Sequence, residues 1–234
     1  MGKRIVSQAR GHGSLTYRVR RKAFRYRIGY PFAEGKAKII KLLHSPAHSS
    51  PLIKIQIKEK IFYNLAFQNA FEGQEINMVE VEKEVKEGDI IRLKDAEIGM
   101  QVFNIESRPG DGGKFVRTAG SSAQIVKKEE KKVDLLMPSK KKIKLNIQCR
   151  ASVGVIAADG RLNKPIVKAG RRFHSMKARG KKWHFTSAVK VNAVDHPFGS
   201  GRGKRIKSKI AKRNAPPGAK VGHLRPRRTG RKKK

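Results

Sequence analysis

The sequence predicts a mainly β protein, two small barrels in series carried between two strongly basic arms. Three observations predict it. Short apolar runs of strand length recur at close spacing, several of them alternating at period two. No strand-helix alternation of a parallel nucleotide-binding fold appears. Charge is concentrated at the ends: of a net +38 over 234 residues, the first thirty residues hold nine basic and no acidic residues, and the last thirty-eight hold fifteen basic and none acidic.

The first barrel begins with strands expected at 37–43, 52–58 and 61–67. In the second of these, Ile53, Ile55 and Ile57 alternate with Lys54, Gln56 and Lys58, as a strand with one buried face requires. The loop between the first two holds His44, Pro46, His48 and Pro51. Further strands are expected at 79–85 and 90–93, with Gly88-Asp89 as the turn between them. Six more, at 99–105, 114–118, 123–127, 133–137, 143–147 and 152–156, read as a second small barrel. Gly110-Asp111-Gly112-Gly113 reads as a tight turn, since no phosphate-loop lysine follows it. After Gly160 the composition turns to Gly, Pro, Lys and Arg, with a short helix expected at 169–179. The resulting division is 1–33 for the basic N-terminal arm, 34–95 and 96–170 for the two barrels, and 171–234 for the C-terminal extension.

Such arms hold too few apolar residues to offset their conformational entropy and should be disordered alone. A polyanion would order them, because each phosphate neutralised by Lys or Arg releases condensed counterions. The cationic candidates are Arg18, Arg20, Arg21, Arg25 and Arg27 in the N-terminal arm, with Arg171, Arg172, Lys181 and Lys182 after the barrels. Arg202, Lys204, Arg205, Arg213, Arg225, Arg227 and Arg228 complete the set. Tyr17, Phe24, Tyr26 and Tyr30 lie among the first group and Phe173, Trp183 and Phe185 among the second. These rings either stack on unpaired RNA bases or dock the arms onto the barrels.

Other chemistries fit poorly. One cysteine, Cys149, excludes an internal disulfide and reads as a small buried apolar side chain. Seven histidines without a second cysteine exclude zinc sites built on Cys/His pairs. Asp195, His196 and Ser200 are the residue types of a hydrolytic triad, but no Gly-x-Ser-x-Gly elbow surrounds the serine. The segment after His196 instead combines Gly199 and Gly201 with Arg202, Lys204 and Arg205, a composition suited to close approach to phosphates. No stretch approaches eighteen apolar residues and the N-terminus lacks an apolar signal region, so a soluble, intracellular protein without a membrane partner is expected.

Four stretches resemble one family, the large-subunit ribosomal protein L2 in its archaeal and eukaryotic form. They are Gly35-Lys36-Ala37-Lys38-Ile39-Ile40 through Ser50-Pro51-Leu52, then GMQVFNIESRPGDGGKFVRTAGSSAQIV from Gly99, then Asn192-Ala193-Val194-Asp195-His196-Pro197-Phe198-Gly199-Ser200-Gly201, and RNAPPGAKVGHLRPRRTGR from Arg213. The resemblance implies an OB-fold barrel followed by an SH3-like barrel, with long basic N- and C-terminal extensions threading rRNA. It implies 23S-type rRNA, neighbouring large-subunit proteins and, through an intersubunit bridge, the small subunit as partners. It also implies support of tRNA binding, a place in the cytoplasmic ribosome and no enzymatic activity. No cofactor is implied beyond the structural Mg2+ and monovalent ions that accompany rRNA. Asn192, Asp195, His196, Gly199 and Gly201 join the rRNA-binding candidates, with His196 placed near the peptidyl-transferase centre. Three positions depart from the family pattern: Ala193, Phe198 and Ser200 stand where proline, histidine and glycine are common. Trp183-His184 stands where Trp-Pro is usual, implying a locally different backbone. The competing readings are a generic nucleic-acid chaperone or DNA-compacting protein, and an RNA-modifying or hydrolytic enzyme.

Overall fold

The computed structural model describes residues 2–79, 85–202, 210–211 and 213–224. Its contacts divide the chain into two units, one formed by 21–167 and the other by 1–20 together with 168–234.

The first unit is a single ten-stranded sheet. In chain order its strands are β1 (Gly35–Leu43), β2 (Leu52–Ile57), β3 (Lys60–Leu65), β4 (Glu75–Met78), β5 (Ile90–Arg92), β6 (Gln101–Phe103), β7 (Ala123–Lys128), β8 (Lys132–Leu136), β9 (Lys142–Asn146) and β10 (Arg150–Val153). The spatial order is β3-β2-β1-β4-β5-β10-β6-β7-β8-β9. The fold is therefore mainly β, in keeping with successive OB-like and SH3-like barrels.

Period-two patterning does the sorting. Ile53, Ile55 and Ile57 are buried with Ile39, Leu52 and Leu65 in one core, while Val133, Leu135, Ile125 and Leu145 fill a second. The strands where the halves meet serve both. Ile90 belongs to the first core and Ile91 to the second, while Val102 belongs to the second and Phe103 to the first. Neighbouring residues on a strand point to opposite faces, so β5 and β6 form a wall with a core on each side. β10 bridges them, pairing antiparallel with both.

Each half also carries one interruption of register, between Ile39 and Lys41 on β1 and between Ile125 and Lys127 on β7. An extra residue there bends and twists its hairpin, the local deformation by which a sheet coils toward closure.

One expected strand forms differently. The region 114–118 contributes only a single bridge, Phe115 to Ile105. Val116 has φ +53°, a left-handed conformation that no extended run tolerates in a β-branched residue. β4 ends at Met78, with Val79 at φ +68°; residues 80–84 of the strand expected at 79–85 lie outside the described residues. The turn expected at 110–113 is present, with Gly110, Gly112 and Gly113 all at positive φ.

Burial of charge at that turn is the feature that sequence patterning missed. Glu106 is completely buried and Arg150 nearly so, and their side chains pair at 2.8 Å. Glu106 also accepts the N–H groups of Arg150, Gly110 and Gly112 at 2.9, 3.2 and 3.1 Å. Arg150 donates from Nη1 to the Pro31 carbonyl at 2.7 Å, and its guanidinium carbon lies 5.4 Å from the Tyr30 ring centroid and 5.5 Å from that of Phe32.

A neutral network continues from Tyr30. The phenol donates to Asn104 O or shares its proton with Ser152 Oγ, both at 2.8 Å. Asn64 donates to Ser152 Oγ, and Asn104 to Asn64 Oδ1, each at 2.8 Å. Burial pushes the Tyr30 phenol well above its ordinary value, so it stays protonated and able to donate. Cys149 lies fully buried within the second core, as its reading as a small apolar residue expected, and burial pushes its thiol up to about 11.

Among its described residues the second unit buries few side chains. Helix α1 (Val6–His12) is stabilised at its start by Gln8 Oε1, which accepts the Ile5 N–H at 3.0 Å, and ends at Gly13 with φ +76°. Helix α2 (Ala169–Ala178) matches the short helix expected there, and none of its residues is buried. Strands β11 (Ile210–Ala211) and β12 (His223–Leu224) form a short parallel pair. The two ends of the chain, 1–20 and 168–234, group in one unit. Among the described residues, no helix is long and apolar enough to cross a membrane.

Replacing Glu106 by Ala would leave Arg150 buried without its counter-charge, and urea unfolding should show a loss of about 3–5 kcal/mol. Acid sensitivity has a second source. Burial would raise the Asp111 carboxyl, but hydrogen bonds from the Ser107 hydroxyl and from the N–H groups of Gly113, Ser107 and Arg108 prevail and hold it at about 2. A depressed carboxyl stabilises the fold above its ordinary value of 3.8 and ceases to do so as pH falls through about 2. Unfolding curves of Asp111→Asn should therefore be less steeply pH-dependent than wild type across this acid window.

Candidate nucleic-acid interface

Lys and Arg side chains reach solvent when no partner satisfies them, and the predicted cations do so throughout. Arg18, Arg20, Arg21, Arg25, Arg27, Arg171, Arg172, Lys181, Lys182, Arg202 and Arg213 are all exposed. Lys204, Arg205, Arg225, Arg227 and Arg228 lie outside the described residues. The division of the chain separates Arg18 and Arg20 from Arg21, Arg25 and Arg27, which belong with the barrels.

The interleaved aromatics divide as well. Tyr30 is core, and Tyr26 packs against Tyr63 with centroids 4.9 Å apart while Arg25 lies 5.8 Å over its ring. Phe24 remains 47% exposed, edge-on to His48 at 4.9 Å. On α2, Phe173 is exposed and Lys177, one turn later, lies 5.4 Å from its centroid. A ten-residue helix without a buried side chain lacks the tertiary packing from which protein helices draw most of their stability. Its Arg171, Arg172 and Lys177 are thus presented to the surroundings.

The loop carrying His196 is closed by its own backbone. Asp195 and His196 donate N–H groups to Asn192 O at 3.0 and 3.3 Å, Gly199 to His196 O at 2.8 Å, and Ser200 to Val191 O at 3.0 Å. Gly199 is buried, and a Cβ there would stand 2.2 Å from Asn192 O. Its missing side chain is therefore spent on this loop's closure. Gly201, at φ +101° with nothing near its Cβ position, is exposed. Asn192 is exposed, and Asp195 and His196 are half-buried.

The N-terminus braces this loop from within the same unit. Lys3 donates its N–H to Val194 O at 2.8 Å, and its ammonium lies 3.6 Å from Asp195 Oδ1. A cavity of about 320 Å³ between them is lined by Ile5, Gln8, His196 and Pro217, among others. Sequence reading gave the two arms no such contact, and nothing in local composition signals it.

Triad chemistry is not what this geometry serves. His196 Nδ1 accepts the Phe198 N–H at 3.0 Å, and the Asp195 carboxylate faces Lys3. Carboxylate and imidazole are thus committed elsewhere than to each other and Ser200. Among the described residues no cluster of three or more His, Cys, Asp or Glu could hold a metal.

Two departures from the resembled pattern acquire a structural meaning. His184 sits at φ +70°, which proline, locked near −65°, cannot adopt. Ser200, also at φ +70°, occupies a left-handed conformation where glycine is at ease.

Fold and site together define a class: a mainly β polycation in which the described cations of the predicted set are exposed. Comparison with known proteins narrows the class. The family described as "Ribosomal Proteins L2, C-terminal domain" matches residues 86–218, more than half the chain. Large ribosomal subunit protein uL2 of Archaeoglobus fulgidus is 41% identical over 237 residues, covering 98% of this chain and 99% of its own length. The uL2 proteins of Methanocaldococcus jannaschii and Haloarcula marismortui are 40% identical over 242 residues and 39% over 239, covering 100% and 99% of this chain and 100% and 98% of their own. The chain belongs to the ribosomal protein uL2 family.

Gly199→Ala must push the loop apart, since the added methyl meets a backbone oxygen. Hydrogen exchange of the Ser200 amide, protected in wild type by Val191 O, should accelerate by tenfold or more, which corresponds to about 1.4 kcal/mol or more of lost local stability.

Proposed function

We propose that the chain is a structural constituent of the large ribosomal subunit and a primary binder of 23S-type rRNA. In this reading it supports subunit association and tRNA binding and contributes to the architecture of the peptidyl-transferase centre. The observation that carries it is the exposure of every described cation in the predicted set, on a chain of net +38, in a family whose relatives are named large ribosomal subunit proteins. Its partners are then rRNA, neighbouring large-subunit proteins and, through a bridge, the small subunit, in the cytoplasmic ribosome. The barrels, 34–95 and 96–170, dock on the RNA surface, while 1–33 and 171–234 enter between its helices. The RNA brings its own Mg2+ and monovalent ions, and the protein needs no cofactor.

His196 has a positioning part in this reading. Its ring is oriented by the Phe198 N–H and its loop by Lys3, so an exposed edge can meet RNA in a set direction. Catalysis belongs to RNA.

Sedimentation separates this reading from a DNA-compacting protein: the chain should co-migrate with large subunits in high salt and show no preference for duplex DNA. Against an isolated rRNA fragment, neutralisation of about eight phosphates predicts a log-log salt dependence of about −6 to −7. A slope near zero would remove the electrostatic account of the arms.

A further inference from the structure

One cleft on the barrel unit is not absorbed by charge alone. It has a volume of about 800 Å³ and lies between the Phe24–Tyr30 segment, the His48 loop and the glycine turn 110–113. That volume falls within the range of about 300–1,000 Å³ typical of small-molecule sites, and so suits one nucleotide.

Its rings are held in place. Phe24 stands edge-on to His48, whose Nδ1 is 2.7 Å from Ser45 Oγ, and Tyr26 packs on Tyr63. Burial, and then the nearby Arg117 cation, lower the His48 pKa below its ordinary value.

Its charge is one-sided. Arg27, Lys114 and Arg117 line the cleft with Asp111 as the one carboxylate among its lining residues. The Asp111 carboxylate is turned into its own turn, accepting N–H groups from Ser107, Arg108 and Gly113 at 2.9, 3.2 and 3.0 Å and the Ser107 hydroxyl. Lys114 Nζ lies 3.4 Å from Asp111 Oδ2 and stays 62% exposed. Arg117 donates to Gly113 O at 3.3 Å and to Ile28 O at 3.5 Å, tying the turn to the Phe24–Tyr30 segment. Gly113 cannot be replaced without collision, since a Cβ would lie 2.5 Å from Asn104 O.

We infer that this cleft receives a single unpaired nucleotide of the bound RNA, its base stacked against the Phe24 ring and its phosphate met by Arg27 and Lys114. The inference deepens the rRNA-binding reading and rests on it. Aromatic faces recognise bases that are out of a helix, because paired bases are already stacked. An acidic peptide would use the same cations but not the ring.

The test uses the full chain and a single-stranded RNA octamer carrying one 4-thiouridine, with photo-crosslinked peptides mapped by mass spectrometry. Labelling of the Phe24–Arg27 and His48 peptides is expected. It should fall about tenfold in Phe24→Leu, in line with the loss of one base-aromatic stack, persist in Phe24→Tyr, and be reduced in Arg27→Gln. Labelling around Arg18, Arg171 and Lys181 should be unchanged in all three. Crosslinks confined to those arm peptides would overturn the cleft and leave the rRNA-binding reading standing, whereas no crosslinks anywhere would overturn both. Displacement of the octamer by polyphosphate or an aspartate-rich peptide at equal charge concentration would also overturn it, since the site would then read charge alone. If Phe24→Leu fails to fold, Phe24→Tyr and Arg27→Gln decide: the inference requires the first to keep the label and the second to lose part of it.

Discussion

The buried pair of Glu106 and Arg150 is the constraint on which the rest of the barrel unit depends. A carboxylate with no solvent exposure is costly unless every oxygen is occupied. Here it receives the guanidinium and three backbone N–H groups, two of them from the glycine turn. Satisfying Glu106 therefore sets the path of 106–113, and the guanidinium's further bond to Pro31 O sets where the N-terminal segment crosses. Tyr30, its ring centroid 5.4 Å from that guanidinium, carries the network to Asn104, Ser152 and Asn64. Polar groups from four separated parts of the chain meet in one place, so a core that apolar packing alone would leave free to slide acquires a register.

Around that point the sheet divides its labour by parity. β5 and β6 send alternate side chains into two cores, which makes each barrel's wall part of its neighbour. Left-handed residues mark where extension stops: Val79 after β4, Asn104 after β6, Val116 in place of an expected strand. Each such conformation is unfavourable for a side-chain-bearing residue and persists where surrounding contacts over-determine it. The cleft bounded by Phe24, His48 and the glycine turn is a by-product of the same anchoring, since its floor is the turn that Glu106 and Asp111 hold.

Charge is organised differently in the second unit. Among its described residues few are buried, and the described cations of α1 and α2 are not buried. What shapes it is backbone closure, seen in the hydrogen bonds of 191–200 and in Lys3 reaching Val194. Two ends that each repel themselves are brought together around a loop containing Asp195, whose carboxylate the Lys3 ammonium approaches. Arg18, Arg20, Arg171, Arg172, Arg202 and Arg213 of this unit remain exposed.

The amino-acid sequence by itself determined the strand content, the alternation of Ile53, Ile55 and Ile57, the glycine turn, helix α2 and the polycationic ends, because each depends on residues a few positions apart. It also carried the family, through stretches long enough to be distinctive, and flagged His184 as a place where the backbone departs. Tertiary structure alone decided that Glu106 and Arg150 meet, that β5 serves two cores, that Val116 breaks a strand its neighbours favour, and that the two arms share one unit around His196. Those outcomes turn on contacts between residues dozens of positions apart, where satisfying a buried charge or closing a loop outweighs local propensity. Local pattern has no record of such partners.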